Sequence, residues 1–176
     1  MPARTRRLSA AVKRLKARPE VGRCLRVLPG DRTRELLTPS AHEGAGARFN
    51  PPGSFPVLHF TEDQDACRQA ICALLSTPVE GEPFCVCTLD VKLRRVIDLC
   101  DPTTAARVGL SVEELTRAED FTLTQAVGIA AYNRGLQGIL YPQGGGGCRN
   151  LVVFAEHITS DDIRLVDFDA IRALAK

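Results

Sequence analysis

A cation and a carboxamide lie in a turn whose backbone is held by glycine and proline. Residues 46–60 read GARFNPPGSFPVLHF, with Arg48 and Asn50 before the prolines and a short apolar strand after them. Proline fixes a backbone torsion and glycine permits conformations closed to other residues, so the turn holds its polar groups in defined positions. A polar group held rigidly at the end of a strand can bind a ligand, and an arginine there favours an anionic one.

Two further polar residues lie inside apolar segments that read as strands. Arg26 lies in residues 24–28, and His59 lies in residues 57–60, directly after the turn. Two arginines directed into one cleft suit a pyrophosphate, because each guanidinium offers paired, charged hydrogen bonds. The competing interpretations are a solvated strand edge for Arg26, a surface ion pair for Arg48, and a hydrogen bond within its own turn for Asn50.

The sequence of this turn resembles the signature of the RES-domain family, bacterial toxins that consume NAD. The resemblance extends over roughly residues 22–170 and includes LRV at 25–27, VIDL at 96–99, LSVEEL at 110–115 and NLVVF at 150–154. It implies an α+β chain with the ADP-ribosyltransferase-like RES fold, in which helices flank a central mixed sheet. NAD is then the substrate, and no metal is needed. Arg26 matches the family's phosphate-binding arginine on the first strand, and Arg48 matches its loop arginine.

The chain departs from the family pattern at three positions. His59 stands where the family has a tyrosine, Gln69 where it has a helical glutamate, and Gln143 where it has a serine. The resemblance therefore predicts a catalytic set of Arg26, Gln69 and Gln143, with NAD held by Arg26, Arg48, Asn50 and His59. His59 could stack on a base or on nicotinamide, or it could be an ordinary core histidine.

The missing carboxylate separates two hypotheses about function. Cleavage of the nicotinamide–ribose bond develops positive charge on the ribose, and a carboxylate stabilises that charge. Glu62, Asp63 and Asp65 are nearby, although acids are common in the first turn of any helix. The chain is then either an NAD-cleaving toxin, acting by hydrolysis, phosphorolysis or ADP-ribosyl transfer, or a degenerate RES domain that binds a nucleotide or a partner protein without turnover.

The elements that must position these residues follow from periodicity and capping signals. Helix-breaking residues and apolar alternation predict strands at 24–28, 57–60, 84–91, 96–100, 138–142, 151–154 and 163–168, with a charged turn at 92–95. Capping boxes predict helices that begin at Thr61, Ser111 and Thr122, the last ending near Gly135, and a short helix is expected at 169–175. Residues 1–18 form a basic helix or arm, and residues 19–176 form a single RES-like domain.

Composition restricts the function class only weakly. The chain has 176 residues, 44% of them apolar, and a net charge of +2, so it predicts one globular domain without a membrane span. The seven cysteines lie mostly in apolar runs, which is typical of small core residues in a cytoplasmic protein. With three histidines and no second cysteine pair, no metal site is expected.

The resemblance also implies a partner. Family members are usually neutralised by an Xre-type antitoxin protein that covers the active-site cleft and carries its own DNA-binding domain. Nucleic acid is then expected only through that antitoxin. The basic residues 1–18 leave a third interpretation open, direct contact with nucleic acid or with an acidic partner. The oligomeric state is left open, a homodimer included.

Overall fold

The structure is a computed structural model that describes residues 3–29, 35–39, 46–62, 84–117, 119–144 and 147–171. A six-stranded mixed sheet forms its centre, with four helices in the described ranges. The strands are β1 Arg18–Pro29, β2 Val57–Glu62, β3 Phe84–Asp98, β4 Gly138–Pro142, β5 Arg149–Phe154 and β6 Ile163–Ile171. The helices are α1 Ala3–Arg14, α2 Pro102–Val108, α3 Val112–Thr116 and α4 Thr122–Asn133, and a 3-10 turn covers Ala155–His157. The predicted α+β class, with a mixed sheet and flanking helices, is confirmed.

The sheet closes on itself. Its order is β1-β2-β5-β4-β3-β6, and β1 also pairs along most of its length with β3. Five strands therefore form a ring, β1-β2-β5-β4-β3, and β6 lies on the outer side of β3 beside its first half. The strands β3 and β4 are parallel, and the other described pairs are antiparallel.

The ring separates two apolar cores, and its strands direct alternate side chains to opposite faces. In β5, Leu151 and Val153 belong to the core inside the ring, whereas Val152 and Phe154 belong to the core outside it. This follows from the two-residue period of side chains along a strand. The outer core is completed by helices α1 and α4, whereas the inner core is filled by strand side chains.

The predicted charged turn at residues 92–95 is wrong, because β3 runs through it without interruption. Leu93 is buried in the inner core while Arg94 and Arg95 are both exposed, and the register against β1 shifts at this point. Such an extra residue in one strand is a β-bulge. The backbone N–H groups of Arg94 and Arg95 both donate to Gln137 Oε1, at 2.7 and 3.2 Å, which satisfies the bulge without a chain reversal.

The capping predictions have mixed outcomes. The box at Ser111 is confirmed, since its hydroxyl accepts from the Glu114 N–H and the Glu114 carboxylate accepts from the Ser111 N–H. The helix end at Gly135 is confirmed by its left-handed φ of 69°. At Thr122 the box is wrong, because the Asp120 carboxylate accepts from the Thr122 N–H instead.

Two predicted helices meet strands. Residues 61 and 62 belong to β2, so no helix begins at Thr61, and the rest of that predicted helix lies outside the described residues. Residues 169–171 belong to β6, and the remainder of the predicted C-terminal helix is also outside the described part. In both places a strand pairing with a neighbour overrides the local helical signal.

Three general predictions can be compared with the described residues. None of the helices there is long and apolar enough to cross a membrane. No group of three or more metal-binding side chains occurs within those ranges. Cys24, Cys85 and Cys87 are buried and Cys100 is half-buried, as expected for core residues, whereas Cys148 is disulfide-bonded.

Candidate functional site

The strands β1 and β2 are joined over two residue pairs and then separate. Cys24 pairs with Glu62 and Leu25 pairs with Thr61, and no further pair follows in the described ladder. The antiparallel register would bring Arg26 opposite Phe60, yet at this point β1 is paired with β3 and β2 with β5. We call this opening the β1–β2 split, and Arg26 and His59 lie on its two sides.

Arg26 is buried inside the ring, where its side chain binds backbone carbonyls. Arg26 is only 4% exposed, and its guanidinium carbon lies 5.9 Å from the centroid of the Phe60 ring. The guanidinium donates to the carbonyl oxygens of Leu36 and, at 2.7 Å, of Thr38. Burial lowers the pKa of Arg26 from its ordinary value, partly offset by the nearby Cys87 thiol. No carboxylate pairs with this cation within the described residues.

Arg48 is held on the other side of the sheet. Its terminal nitrogens donate to the carbonyl oxygens of Arg117 at 2.6 Å and Thr116 at 3.3 Å, where α3 ends. Its guanidinium carbon lies 5.0 Å from the Phe121 ring centroid and 5.8 Å from that of Tyr141, which belongs to the outer core. These contacts tie the turn to α3 and to the start of α4, so Arg48 holds the turn in place.

The turn that carries Arg48 and Asn50 is as rigid as its sequence predicts. Ala47 and Asn50 exchange backbone hydrogen bonds at 3.0 and 3.3 Å. Gly46 has a φ of 71°, and a Cβ there would meet the Asn50 carbonyl oxygen at 2.5 Å, so only glycine fits. Gln125 of α4 donates to the Ala47 carbonyl at 3.1 Å.

Asn50 carries a polar atom that the protein leaves unsatisfied. The residue is 8% exposed, and its side-chain Oδ1 is buried with no hydrogen-bond partner within the described structure. A buried carbonyl without a donor is costly, by about 1–3 kcal/mol. The proposed hydrogen bond of this side chain within its own turn is therefore not formed through Oδ1.

The remaining predicted residues lie apart from one another. His59 is half-buried on β2 opposite Val152, which places it on the outer face, whereas Arg26 faces the inside of the ring. Gln143 follows β4, is exposed, and donates its backbone N–H to the Cys148 carbonyl at 2.9 Å. Gln69 lies outside the described residues. The structure thus brings Arg48 and Asn50 together in one turn, and it separates Arg26 from them by the thickness of the sheet.

A polar cavity at the paired end of the β1–β2 split contains residues that the sequence did not single out as a group. It has a volume of about 150 Å³ and is lined by Cys24, Glu20, Glu62 and Arg149, among others. Arg149 donates to both oxygens of Glu62 at 2.6 and 3.1 Å and approaches Glu20 at 3.5 Å. These carboxylates raise the pKa of Arg149, Glu62 being the main cause. The sequence does not reveal this group, because Glu20, Glu62 and Arg149 lie at or near the ends of three different strands.

Comparisons with known proteins agree with this architecture. The family model described as "RES domain" matches residues 23–170. NAD(+) phosphorylase MbcT of Mycobacterium bovis and of Mycobacterium tuberculosis is 31% identical over 119 residues, which span 64% of this chain and 63% of the relatives. The chain thus matches less than two thirds of the length of these relatives. The crystal structure of the M. tuberculosis MbcT–MbcA toxin–antitoxin complex superposes with a TM-score of 0.69 at 24% identity, over 96% of this chain and 91% of that one.

Proposed function

This chain belongs to the RES domain family, and from that membership we propose that it is an enzyme that cleaves NAD by phosphorolysis. In this reaction the bond between the nicotinamide nitrogen and the ribose carbon breaks. An oxygen of inorganic phosphate bonds to that carbon, and nicotinamide leaves with the electron pair. The products are free nicotinamide and a phosphorylated ADP-ribose. The similarity to proteins named NAD(+) phosphorylase favours phosphate over water or a protein as the acceptor.

The burial of Arg26 is the observation that carries this proposal. A cation removed from water is stable only when its charge is compensated, and two neutral carbonyls compensate it incompletely. The described residues supply no carboxylate at this position, and we propose that a bound anion is the partner of Arg26. The pyrophosphate of NAD provides such an anion, with oxygens that match the planar fork of a guanidinium.

The other predicted residues lie on the outer face of the sheet, so we assign them to the part of NAD that extends through the β1–β2 split. We assign Asn50 to a hydrogen bond with the substrate, because its buried side-chain oxygen lacks a donor. His59 lies at the β1–β2 split, where its ring can stack on the nicotinamide or adenine base. Arg48 is a positioning residue, since both terminal nitrogens hold the turn that carries Asn50. Its positive charge also favours an anionic substrate.

From the resemblance, we propose that Gln69 and Gln143 stand at the positions of the family's glutamate and serine. An amide can still bind a ribose hydroxyl, but it cannot stabilise the positive charge that develops on the ribose. Loss of one preorganised electrostatic contact typically slows an enzyme by about 100-fold or more. Glu62 does not replace that charge simply, because Arg149 already neutralises it. We therefore propose turnover that is slow relative to a family member with the glutamate.

We further propose an antitoxin of the Xre type as the protein partner of this chain. This proposal is supported by the fold, which is shared with a toxin crystallised in complex with its antitoxin. Co-expression with the neighbouring open reading frame, followed by purification of one tagged protein, tests the pairing. A chain that is recovered alone at every salt concentration contradicts it.

The enzymatic proposal is tested by incubating the purified protein with NAD, with and without inorganic phosphate, and separating the products. Phosphate-dependent release of nicotinamide, with formation of a phosphorylated ADP-ribose, is the expected result. Nicotinamide release that is independent of phosphate would identify water as the acceptor. Intact NAD at high protein concentration, together with measurable NAD binding, would instead identify a nucleotide-binding RES domain without turnover.

A further inference from the structure

Helix α1 has two opposite faces with different environments. Thr5, Leu8 and Val12 are buried, and the helix packs on α4 as part of the outer core. At 100° per residue, the exposed Arg6, Arg7, Lys13 and Arg14 all fall within one sector of about 120° on the opposite side. The helix is therefore neither a frayed arm nor free to turn, and its basic face is fixed toward solvent.

The cations of this face lack acidic partners, in contrast to the cations at its borders. Arg4 is paired with Glu114 at 2.6 Å, and Arg18 is paired with Asp98 at 2.6 Å. The four cations of α1 other than Arg4 form no ion pair with any described residue. We call Arg6, Arg7, Lys13 and Arg14 the α1 basic face.

A cavity extends this face toward α2. It is lined by Ala11, Arg14, Leu15 and Arg107 and has a volume of about 250 Å³. Arg107 is exposed and, like Arg14, forms no ion pair within the described chain. Two guanidinium groups thus border one recess whose other walls are apolar. Such a recess suits an anion with several oxygens, since each guanidinium can donate two parallel hydrogen bonds.

The whole molecule is electrically polarised by this helix. Residues 1–18 contain seven Lys and Arg and no acid, so the net charge of +2 combines +7 from this segment with −5 from the remainder. An acidic body orients the basic face toward a polyanion and is repelled elsewhere. The small net charge of the whole chain therefore does not show the strong positive charge of residues 1–18.

We propose that the α1 basic face, with Arg107, binds the phosphate backbone of a nucleic acid duplex. A membrane is disfavoured because the apolar side of α1 is buried in the core and cannot enter lipid. Single strands are disfavoured because no aromatic side chain, on which bases stack, lies in α1. Arg6 and Lys13 are separated by seven residues, about 10.5 Å of helix, so the face can contact several successive phosphates of one groove edge.

The test is fluorescence anisotropy of a labelled 20-base-pair duplex of arbitrary sequence, in DNA and RNA forms, titrated with the full chain at several salt concentrations. The K13Q/R14Q variant is compared with K92Q/R94Q, which removes one exposed Lys and one exposed Arg from β3. Each lost phosphate contact reduces the slope of log K against log salt by about 0.9. K13Q/R14Q should therefore lower the slope by about 1.8 and weaken binding by about 60-fold at 0.1 M salt. The β3 variant should change neither quantity.

Three results would overturn the proposal. The first is no binding of either duplex by the wild-type protein at 50 mM salt, and the second is an equal loss in both variants. The third is displacement of the duplex by poly-glutamate at equal charge concentration, which would identify an acidic protein segment as the occupant. Circular dichroism and thermal unfolding verify that both variants remain folded. The proposal does not depend on NAD cleavage, because α1 lies apart from the β1–β2 split.

Discussion

Replacement of Arg26 by methionine separates substrate binding from folding. Methionine is unbranched and of similar length, so it can follow the path of the arginine stem inside the ring. The variant loses hydrogen bonds to the carbonyls of Leu36 and Thr38, but it also removes the cost of a buried cation. Each carbonyl left unsatisfied costs about 1–3 kcal/mol, and removal of a buried cation that has no carboxylate partner among the described residues offsets part of that cost. These effects oppose one another, so the free energy of unfolding should change by less than about 2 kcal/mol.

Substrate binding should respond far more strongly than stability. A charged hydrogen bond to phosphate contributes about 1.5–3 kcal/mol, so Arg26→Met should raise the Kd for NAD by about 10- to 150-fold. Isothermal titration calorimetry measures the Kd, and urea unfolding measures the stability. The matched control is Arg94→Met, which removes the same charge from an exposed position on β3 and should leave both quantities unchanged.

One result would refute the reasoning about Arg26. If folded Arg26→Met protein binds NAD as tightly as the wild type, the buried cation has no role in holding the pyrophosphate. A large loss of stability with an unchanged Kd would show that Arg26 serves only to hold the carbonyls at residues 36 and 38. In either case the β1–β2 split would lose its assignment as the substrate site.

Three further predictions concern packing, titration and catalysis. Gly128→Ala in α4 should lower the free energy of unfolding in urea by about 2–4 kcal/mol, because a Cβ there would lie 1.7 Å from the Phe49 carbonyl oxygen. The control Gly22→Ala, whose Cβ would meet nothing within 4 Å, should change that free energy by no more than about 0.5 kcal/mol. Hydrogen bonds from Thr104 and Thr103 lower the pKa of Asp101, so its stabilising contribution is present above its unfolded pKa of about 3.9 and is lost as the pH falls through the lower folded value. Asp101→Asn retains the helix cap, and the unfolding free energy of this variant should fall less steeply than that of the wild type below about pH 4; equal slopes would contradict the assignment. Gln69→Glu should raise the rate of nicotinamide release by about 10-fold or more if Gln69 occupies the family's glutamate position, and an unchanged rate in a variant that still binds NAD would place the catalytic carboxylate elsewhere.

The sequence predicted those elements whose signal is local. The strands at 24–28, 57–60, 138–142 and 151–154, the Ser111 capping box and the Gly135 helix end were all readable, because alternation, capping and glycine act within a few residues. The turn at residues 46–60 was readable for the same reason. Its rigidity depends on Gly46 and on two prolines, which impose their geometry wherever they occur.

The errors arose where distant residues decide the local structure. Residues 92–95 carry three charges in four positions and look like a turn. Pairing with β1 nevertheless continues through them, and the side chain of Gln137, directly before β4, accepts two backbone N–H groups of the bulge. Residues 61–62 look like a helix start, but they extend β2 and close the ring against β1. A local sequence pattern does not reveal a contact with a side chain more than 40 positions away. It also does not reveal a strand pair that forms only when the ring closes.

The candidate site was the part least accessible to sequence reasoning. Two arginines were expected in one cleft, yet Arg26 and Arg48 lie on opposite faces of the sheet. The register of β1 directs Arg26 to the inner face, and the path of the turn brings Arg48 to the outer face. The ion pairs among Glu20, Glu62 and Arg149 join the ends of three strands. No spacing in the sequence connects these residues, and the closure of the ring alone brings them together.

The order of residues 26 and 27 is the strongest physical argument for a ligand at the β1–β2 split. Arg26 is 4% exposed and faces the inner core, whereas its neighbour Val27 is only half-buried on the other face. For folding alone the reverse order would be better, since the valine would fill the apolar interior and the arginine would reach water. Consecutive residues of a strand point to opposite faces, so only one of residues 26 and 27 can face the interior of the ring. The chain places the cation there, which makes the inner core less favourable for folding. A stable fold does not require that arrangement, whereas the anion binding that we propose for Arg26 does.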